Sequence, residues 1–554
     1  MAVPVLNIPS QELTKRPKPY LKVKHLQRWL SELPTANTFR STQQLLNQLK
    51  TINRSRYPVH ERIRLLDTFR PTTRELLLQL KQPLKNSKLP LDRKQKLAAQ
   101  YIQEILEEMA SGYKSVVSQL ILRDSRKESD EMLLREAIYN SIQYLARRLL
   151  ESYLIYAPEP YDVWRELHQL YNYAIQTGIH NLPVDDPYPD YMLPVAYTIE
   201  LVYKRILLLS LAAPYHLMQN EAEELYYLLS SWSNECHIYP AIEQDTDNEF
   251  VFDLASDLPP RYFTKEMDWQ PLNGRVLDIK AVCLRLDNFL QNFLHQETID
   301  DTHSLVEVQQ RDMLIRLAQA LEGTLSRQTD RRSAGNNVRI AVGLNAVHYT
   351  ISQKTPFSPE MDELKLKGQH NLEPSLFAGA YKTALENDRR HSHMDYTTYN
   401  WRQNNASTTG SALSCSLDNE EQTVKVGELV AYCAQEKTCP RWKVGLIRWL
   451  KFQTDSGIDI GVMNLSHTAV PVAIKAINGI GKGKGTDYFR GLMIPKQVSI
   501  HQTRSLVVPA ALYDVNTILV VNMKNRFFHI KLTKQYLSTR SFTQYKFEVE
   551  VLEE

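Results

Sequence analysis

The stretch Arg327-Gln328-Thr329-Asp330-Arg331-Arg332 separates two kinds of sequence in this chain of 554 residues. Before it, apolar residues recur every three or four positions, most clearly in Glu131–Ala157, and this spacing predicts amphipathic helices. After it, Val338–Leu344 alternates between apolar and other side chains, which predicts a half-buried strand. We therefore expect an α+β multidomain protein with an all-α N-terminal half and β-structure beyond it.

The N-terminal half, residues 1–325, is predicted to be a helical interaction module. Asp92 follows Pro90 and begins a long helical pattern, so it is a candidate N-cap. Trp164–Tyr171 resembles the first helix of a tetratricopeptide repeat, but His168 stands where that repeat has glycine and no regular repeat follows. We favour an irregular helical array, with a solenoid as one form of it, in which this stretch is an amphipathic helix with aromatic core residues.

The composition is that of an ordinary folded protein, with 43% hydrophobic and 23% charged residues. A net charge of +3 over this length argues against bulk binding of nucleic acid. The start of the chain lacks a signal-peptide pattern, and the most apolar run, Ile206–Ala213, is too short to span a bilayer. The five scattered cysteines lack zinc-site spacing. We expect a cytoplasmic protein with reduced thiols and no membrane insertion.

Two short motifs near the start of the β-type sequence are suited to binding a nucleotide. The first is the arginine stretch, with Arg327 and Arg331 four residues apart and Arg332 next to them; the second is Asn405-Ala406-Ser407-Thr408-Thr409-Gly410. A guanidinium group pairs bidentately with phosphate oxygens or with the O6/N7 edge of guanine, and it stacks on base faces. Asn and Ser side chains at a turn that glycine permits can hydrogen-bond base edges. The candidate ligand-binding residues are therefore Arg327, Arg331, Arg332, Asn405, Ser407 and Gly410.

In this order and in a β context, the two motifs resemble the R-x-x-x-R and (D/N)-x-S-x-x-G signatures of PilZ domains, the bacterial receptors for cyclic di-GMP. Val426–Val430, Val444–Trp449 and Ile460–Val462 are similar to the later barrel strands of that family. The resemblance covers residues 326–470 and implies an antiparallel β-barrel, here with a polar insert at residues 353–393.

The resemblance also implies a role for each site residue. Arg327 and Arg331 would fold over the phosphates and guanines of cyclic di-GMP from a linker, with Arg332 as a third contact. Asn405, Ser407 and Gly410 would hold a base from the barrel face. Because the linker follows a predicted helix around Asp312–Glu322, ligand binding is expected to order residues 326–337 and to reorient the helical module.

Residues 471–554 are predicted to form a second, smaller β module. Four segments have strand-like composition, which suggests a second small barrel or sandwich. They are Leu506–Val508, Thr517–Val521, Arg526–Leu532 and Tyr545–Val551.

Four other motifs carry less information. Arg70-Pro71-Thr72-Thr73-Arg74 also has R-x-x-x-R spacing but lies in helical sequence, so no function is assigned to it. Asn464-Leu465-Ser466 is a second N-x-S, with Ala469 where glycine would stand. Gly479–Thr486 is rich in glycine and lysine, but it departs from the phosphate-loop pattern and predicts a hairpin loop. Asp388, His391, His393 and Asp395 could bind a metal, although they lie in or beside a polar insert.

The function expected from this sequence is that of a bacterial effector that couples cyclic di-GMP binding to an unidentified protein partner of the helical module. No metal, no nucleic-acid partner and no enzymatic activity are expected, because the sequence contains no nucleophile motif. Two alternatives remain open. One is a scaffold whose PilZ-like barrel does not bind nucleotide, and the other is a hydrolase that uses the metal-binding residues of the insert.

Overall fold

The computed structural model describes the chain as two compact units. The first contains residues 1–87, 91–291 and 316–325, and the second contains residues 88–90, 292–315 and 326–554. The residues described within these units are 3–11, 22–34, 36–85, 87–123, 127–189, 197–241, 249–264, 269–297, 305–322, 332–355, 357, 396–416, 423–435, 441–453, 457–478, 488–496, 503–523 and 526–550.

The N-terminal half is built mainly from helices, as predicted. Their bounds are α1 Val23–Ser31, α2 Thr38–Arg54, α3 Val59–Lys81, α4 Arg93–Ile121, α5 Glu128–Leu154, α6 Val163–Gln176, α7 Ile199–Leu211, α8 Glu221–Trp232, α9 Lys280–Glu297 and α10 Leu305–Leu321. None of the helices in the described ranges has both the length and the apolar character needed to cross a membrane.

Local sequence explains where several of these helices begin and which face they bury. Asp92 caps α4, since its side chain accepts a hydrogen bond from the Gln95 N–H at 2.8 Å while the Gln95 side chain accepts one from the Asp92 N–H at 3.0 Å. The apolar residues predicted for α5 are buried, among them Leu134, Ile138 and Leu145. In α6, the aromatic residues Trp164 and Tyr171 are also buried. The aromatic stretch is therefore an amphipathic helix.

A small antiparallel sheet also belongs to the first unit, and the sequence did not predict it. Its strands have the order β1-β4-β2-β3. Each strand has only two to five residues, which is too few for an alternating pattern to be recognised in the sequence. Their bounds are β1 His237–Pro240, β2 Phe250–Asp253, β3 Arg261–Tyr262 and β4 Gly274–Asp278.

Within the described residues of the second unit, six strands close into an antiparallel barrel in the order β10-β7-β6-β5-β8-β9. This confirms the predicted barrel, although Lys425–Glu428 precedes strand β8 rather than forming part of it. A helix that was not predicted, α11, follows β5, and residues 358–395 of the insert lie outside the described ranges. The bounds are β5 Arg332–Val342, α11 Leu344–Ile351, β6 Tyr399–Ala406, β7 Gly410–Ser416, β8 Leu429–Ala434, β9 Lys443–Phe452 and β10 Gly457–Ser466.

A second closed barrel follows, with six described strands in the order β11-β12-β13-β16-β15-β14. The four predicted strands correspond to β13 to β16, whereas β11 and β12 were missed on either side of the glycine-rich segment. Pro471 and Gly491 interrupt the β-type composition of these two strands. The bounds are β11 Val470–Asn478, β12 Phe489–Ile494, β13 Ser505–Pro509, β14 Ile518–Met523, β15 Arg526–Ser538 and β16 Phe542–Glu550.

One hydrophobic cluster contains residues of both barrels. Leu429 on β8 and Val347 on α11 belong to it together with Leu492 on β12 and Phe542 on β16, and these four side chains are buried. Apolar burial of this kind contributes about 1.5–3 kcal/mol for each large side chain. The cluster therefore holds the two barrels against each other.

Candidate functional site

The Asn405–Gly410 motif forms the turn between β6 and β7. The N–H of Ser407 donates to the Gly410 carbonyl oxygen at 2.8 Å, and the N–H of Gly410 donates to Ser407 Oγ at 3.1 Å. Ser407 Oγ also donates to the Gly410 carbonyl oxygen at 3.2 Å. The Ser407 hydroxyl is therefore engaged in closing the turn, as Ser side chains often are.

Gly410 is required by the neighbouring strand. A Cβ atom at this position would lie 2.6 Å from the carbonyl oxygen of Val462 on β10, which is far inside van der Waals contact. Only glycine lets β7 begin this close to β10. The last residue of the motif thus brings the turn and β10 together.

Asn464 on β10 supports the turn from the side. Its backbone N–H donates to the carbonyl oxygen of Thr409 at 2.8 Å, and its Nδ2 donates to the carbonyl oxygen of Thr408 at 3.1 Å. Sequence reasoning missed this role, although Asn464 belongs to the second N-x-S motif. The N-x-S spacing of the second motif resembles that of the first, but its Asn464 holds the turn that the first motif forms.

A chain of buried polar side chains continues from Asn464 between the strands. Tyr432 donates its hydroxyl hydrogen to Asn464 Oδ1 at 2.6 Å, and Ser411 Oγ lies 3.0 Å from the Tyr432 oxygen. Because Tyr432 has one hydroxyl hydrogen, Ser411 must be the donor in that contact. Gln403 Nε2 donates in turn to Ser411 Oγ at 2.9 Å. The hydrogen bonds therefore run in one direction, from Gln403 on β6 to the turn.

Burial of these hydrogen-bonded side chains keeps the Tyr432 phenol protonated. Tyr432 is only 2% exposed, and burial raises the pKa of its phenol above the ordinary value despite the hydrogen bonds to Ser411 and Asn464. The phenol therefore stays neutral and keeps its hydrogen for Asn464. Because buried polar networks with satisfied partners are rigid, this series of hydrogen bonds holds the turn in one position.

Arg332 is the first residue of β5 and lies beside the strand that leads into the turn. In the β5–β6 ladder Arg332 is opposite Ala406 and Ser333 is opposite Asn405. The Arg332 side chain is exposed, and the Asn405 side chain is partly buried. The structure thus brings together four of the six predicted site residues: Arg332, Asn405, Ser407 and Gly410. The other two, Arg327 and Arg331, lie outside the described residues.

Residues 332–337 of the predicted linker are part of a strand, and ordering of the linker by ligand stays a prediction. These residues belong to β5 and pair with β6 through the bonded partners Asn336–Gln403 and Asn337–Arg402. A register shift between Ser333 and Asn336, with Gly335 at φ +63°, marks a bulge in this ladder. The physical reason is that backbone pairing orders a polar segment that has no apolar side chains to bury. Residues 326–331 lie outside the described ranges.

The metal-binding and glycine-rich motifs add no described residue to this site. Among the described residues, no group of three or more His, Cys, Asp or Glu side chains is arranged to hold a metal ion. Asp388, His391, His393 and Asp395 lie outside those residues, as do Gly479–Thr486 and Cys439. The cysteines that the structure describes, Cys236, Cys283, Cys415 and Cys433, are not joined in disulfides.

A closed antiparallel barrel with an arginine at the start of its first strand and an N-x-S-x-x-G turn between its second and third strands defines a PilZ-type domain. Comparison with protein families extends this to most of the chain. Residues 24–241 match "Cyclic-di-GMP receptor FimW, N-terminal domain", residues 249–384 and 359–471 match the "middle PilZ domain" of the same receptor, and residues 472–550 match "FimW C-terminal beta-barrel domain". The chain therefore belongs to the family of PilZ-domain cyclic-di-GMP receptors that carry a large N-terminal module.

A curated relative agrees with this assignment. The "Cyclic-di-GMP receptor FimW" of Pseudomonas aeruginosa is 25% identical over 566 residues, which span 95% of this chain and 90% of that protein. No solved structure matches the chain significantly.

Proposed function

We propose that this protein is a bacterial effector that binds cyclic di-GMP at the β6–β7 turn of its first barrel and transmits that binding to a protein partner of its helical module. The observation that carries this proposal is the turn at Ser407–Gly410, held by β10 and adjacent to the strand that begins at Arg332. The name of the relative and the family descriptions support the choice of ligand.

The contacts of the turn suggest a division of labour among the site residues. Because the Ser407 hydroxyl already bonds to Gly410, its role is to shape the turn more than to read a base. Asn405 has both a donor and an acceptor and supplies the base contact. Arg327, Arg331 and Arg332 supply the cationic forks for the two phosphates and the guanine edges.

Transmission to the helical module uses the connection between α10 and β5. That connection carries Arg327 and Arg331, so a ligand held by these two residues acts on the chain that joins helical sequence to the barrel. A ligand shifts such an equilibrium only through its different affinity for the two arrangements, and a dianion among several arginines provides that difference. The same proposal treats residues 1–325, 326–470 and 471–554 as three functional parts, with residues 353–393 as an insert. Limited proteolysis tests this division.

The receptor role requires no catalysis, and we propose that the protein is not an enzyme and acts in the cytoplasm. The five scattered cysteines, which lack the spacing of a disulfide framework, support a reducing compartment.

Calorimetric titration of the purified chain with cyclic di-GMP tests the proposal. The expected dissociation constant is micromolar or lower, which corresponds to about −8 kcal/mol or better. A suitable control is Arg74→Ala, because Arg74 has the same R-x-x-x-R spacing but is exposed on α3. Arg70 would be a poor control, since its guanidinium is buried in an ion pair with Asp186 at 2.7 Å. If no heat of binding is measured up to millimolar cyclic di-GMP, the result favours the alternative of a scaffold protein whose barrel does not bind nucleotide.

A further inference from the structure

Residues 3–9 lie as an extended arm on the helical unit. Exposure alternates along this arm, since Val3 and Val5 are 59% and 78% exposed whereas Leu6 and Ile8 are partly buried. A period of two is typical of an extended chain that turns every second side chain toward a surface. We call residues 3–9 the N-terminal arm.

The N-terminal arm is bound to α6 through its backbone. The Val5 N–H donates to Gln169 Oε1 at 2.6 Å, and the Asn7 N–H donates to Glu166 Oε1 at 2.7 Å. Side chains three residues apart on a helix lie about 5–6 Å from each other, and N–H groups two residues apart in an extended chain are separated by roughly 6.6 Å. Glu166 and Gln169 are therefore a pair of acceptors whose spacing fits the main chain of an extended peptide.

The Glu166 carboxylate is also held by the helices themselves. Lys114 on α4 is fully buried, and its Nζ donates to both oxygens of Glu166 at 2.9 Å. Lys114 also pairs with Glu107 at 3.5 Å, and Glu107 pairs with Arg148 on α5. Because an ionised carboxylate accepts several hydrogen bonds, Glu166 binds Lys114 and still accepts the N–H of Asn7. The position of this acceptor is therefore set by α4, α5 and α6 without the arm.

The N-terminal arm is bound weakly compared with the helix beneath it. None of residues 3–11 is fully buried, and within the described parts of the chain no hydrogen bond between backbone groups joins them to other residues. Segments with few buried apolar contacts and exposed hydrogen bonds open locally at a low free energy. By contrast, nine of the 14 residues of α6 are buried. The arm can therefore leave its place while α6 stays folded.

We propose that the face of α6 at Glu166 and Gln169 is a docking site for an extended segment of a partner protein, which displaces the N-terminal arm. The arm seated there defines the chemistry of that segment: apolar residues at alternate positions, as Leu6 and Ile8 are, and residues other than proline at the two positions that donate N–H groups. Because the partner meets only molecules whose arm has opened, the arm lowers the apparent affinity. This inference rests on the effector part of the proposed function and gives its partner a chemical character.

A fluorescent peptide of residues 1–12, titrated by anisotropy, tests the docking site. The full-length variant Leu6→Asp/Ile8→Asp weakens the arm, because two partly buried apolar side chains become charged, and it changes no residue of the helices. We expect the peptide to bind this variant at least about tenfold more tightly than the parent protein, whose arm occupies the site. The matched control is Val3→Asp/Val5→Asp, which changes two exposed side chains of the arm and should bind the peptide as weakly as the parent does.

Proline substitutions in the peptide test the two backbone contacts. Asn7→Pro removes the N–H that Glu166 accepts, and Val5→Pro removes the N–H that Gln169 accepts, while proline is compatible with an extended chain. The affinity should fall about tenfold or more for Asn7→Pro, whose hydrogen bond is charge-assisted, and less for Val5→Pro, whose hydrogen bond is neutral.

A phage library of random heptapeptides identifies the pattern that a partner needs. Peptides are selected on the Leu6→Asp/Ile8→Asp protein and eluted with the peptide of residues 1–12, so that only binders of the docking site are recovered. We expect apolar residues at alternate positions in the eluted peptides.

Three results would overturn the proposal: no binding of the peptide to Leu6→Asp/Ile8→Asp, equal affinity of the Asn7→Pro and unchanged peptides, or eluted peptides without alternating apolar residues. If that variant does not fold, as judged by circular dichroism, hydrogen exchange of the parent protein decides. The amides of Val5 and Asn7 should exchange faster than those of α6, and equal rates would show that the arm does not open separately.

Titration of Leu6→Asp/Ile8→Asp with cyclic di-GMP distinguishes failure of this proposal from failure of the receptor role. Nucleotide binding without peptide binding overturns the docking site alone. Peptide binding without nucleotide binding by the parent or the variant overturns the receptor role alone.

Discussion

Replacing Asn464 by alanine should weaken cyclic di-GMP binding although Asn464 is not expected to touch the ligand. The substitution removes the bond from Nδ2 to the Thr408 carbonyl oxygen, at 3.1 Å, and the acceptor for the Tyr432 hydroxyl, at 2.6 Å. The backbone bond from the Asn464 N–H to the Thr409 carbonyl oxygen, at 2.8 Å, is retained. The turn therefore keeps one of its two described contacts with Asn464 and loses the other.

The magnitude follows from these contacts. One hydrogen bond to the turn contributes about 0.5–1.5 kcal/mol, and a buried hydroxyl without its acceptor costs about 1–3 kcal/mol. We expect the barrel to lose about 2–3 kcal/mol in its free energy of unfolding. Cyclic di-GMP must then hold a looser turn, which should raise the dissociation constant by about tenfold, or about 1.4 kcal/mol.

Two variants separate positioning from general stability. Asn464→Asp keeps the acceptor for Tyr432 but removes the donor to Thr408, so it should lose affinity as Asn464→Ala does while retaining more stability. Asn404→Ala removes an exposed amide that accepts a hydrogen bond from Ser414 at 3.1 Å, and it should change neither quantity. Calorimetry gives the affinity, and urea unfolding gives the stability. If Asn464→Ala unfolds more easily yet binds cyclic di-GMP like the parent, Asn464 supports the barrel and not the site.

Three further predictions concern the ligand, the turn and the helical unit. Arg331→Ala should cost about 2–4 kcal/mol of cyclic di-GMP binding, against about 1–2 kcal/mol for Asn405→Ala, because it removes a charge-assisted fork; small and equal calorimetric losses would place the site elsewhere. Gly410→Ala should destabilise the barrel by about 1–3 kcal/mol, because the new Cβ would lie 2.6 Å from the Val462 oxygen, and an unchanged urea midpoint would contradict this. Burial raises the pKa of Glu136 to about 7. The contribution of the protonated carboxyl to the free energy of unfolding is therefore fully present below the ordinary pKa of 4.5 and is lost as pH rises through 7. The free energy of unfolding of Glu136→Gln relative to the parent should therefore be about 1–3 kcal/mol higher at pH 8 than at pH 5. If urea unfolding gives the same dependence of stability on pH for parent and variant, this prediction is wrong.

The barrel was predictable from sequence because its signals are local. Strands β9 and β10 are ten-residue stretches in which apolar residues are frequent, and Ser407 and Gly410 are residue types that favour a turn. The helices were predictable for the same reason, since their apolar spacing repeats over many turns. Both kinds of pattern can be recognised without knowing which residues meet.

The support of the site was not predictable, because it depends on contacts between distant positions. Asn464 is 56 residues from Thr408, and no local pattern indicates that β10 passes the turn. The strand at Arg332–Asn337 was missed because its order comes from pairing with β6, about seventy residues later in the chain.

The hydrophobic cluster shared by the two barrels limits how this receptor can be divided in the laboratory. A fragment that ends at residue 470 would leave Leu429 and Val347 without Leu492 and Phe542, the buried residues of the second barrel in that cluster. The exposed patch would favour aggregation of the fragment, and any loss of nucleotide binding measured on it would have an ambiguous origin. The second barrel thus serves as an outer wall for the domain that carries the candidate site. The smallest unit in which ligand recognition can be studied should therefore include both barrels.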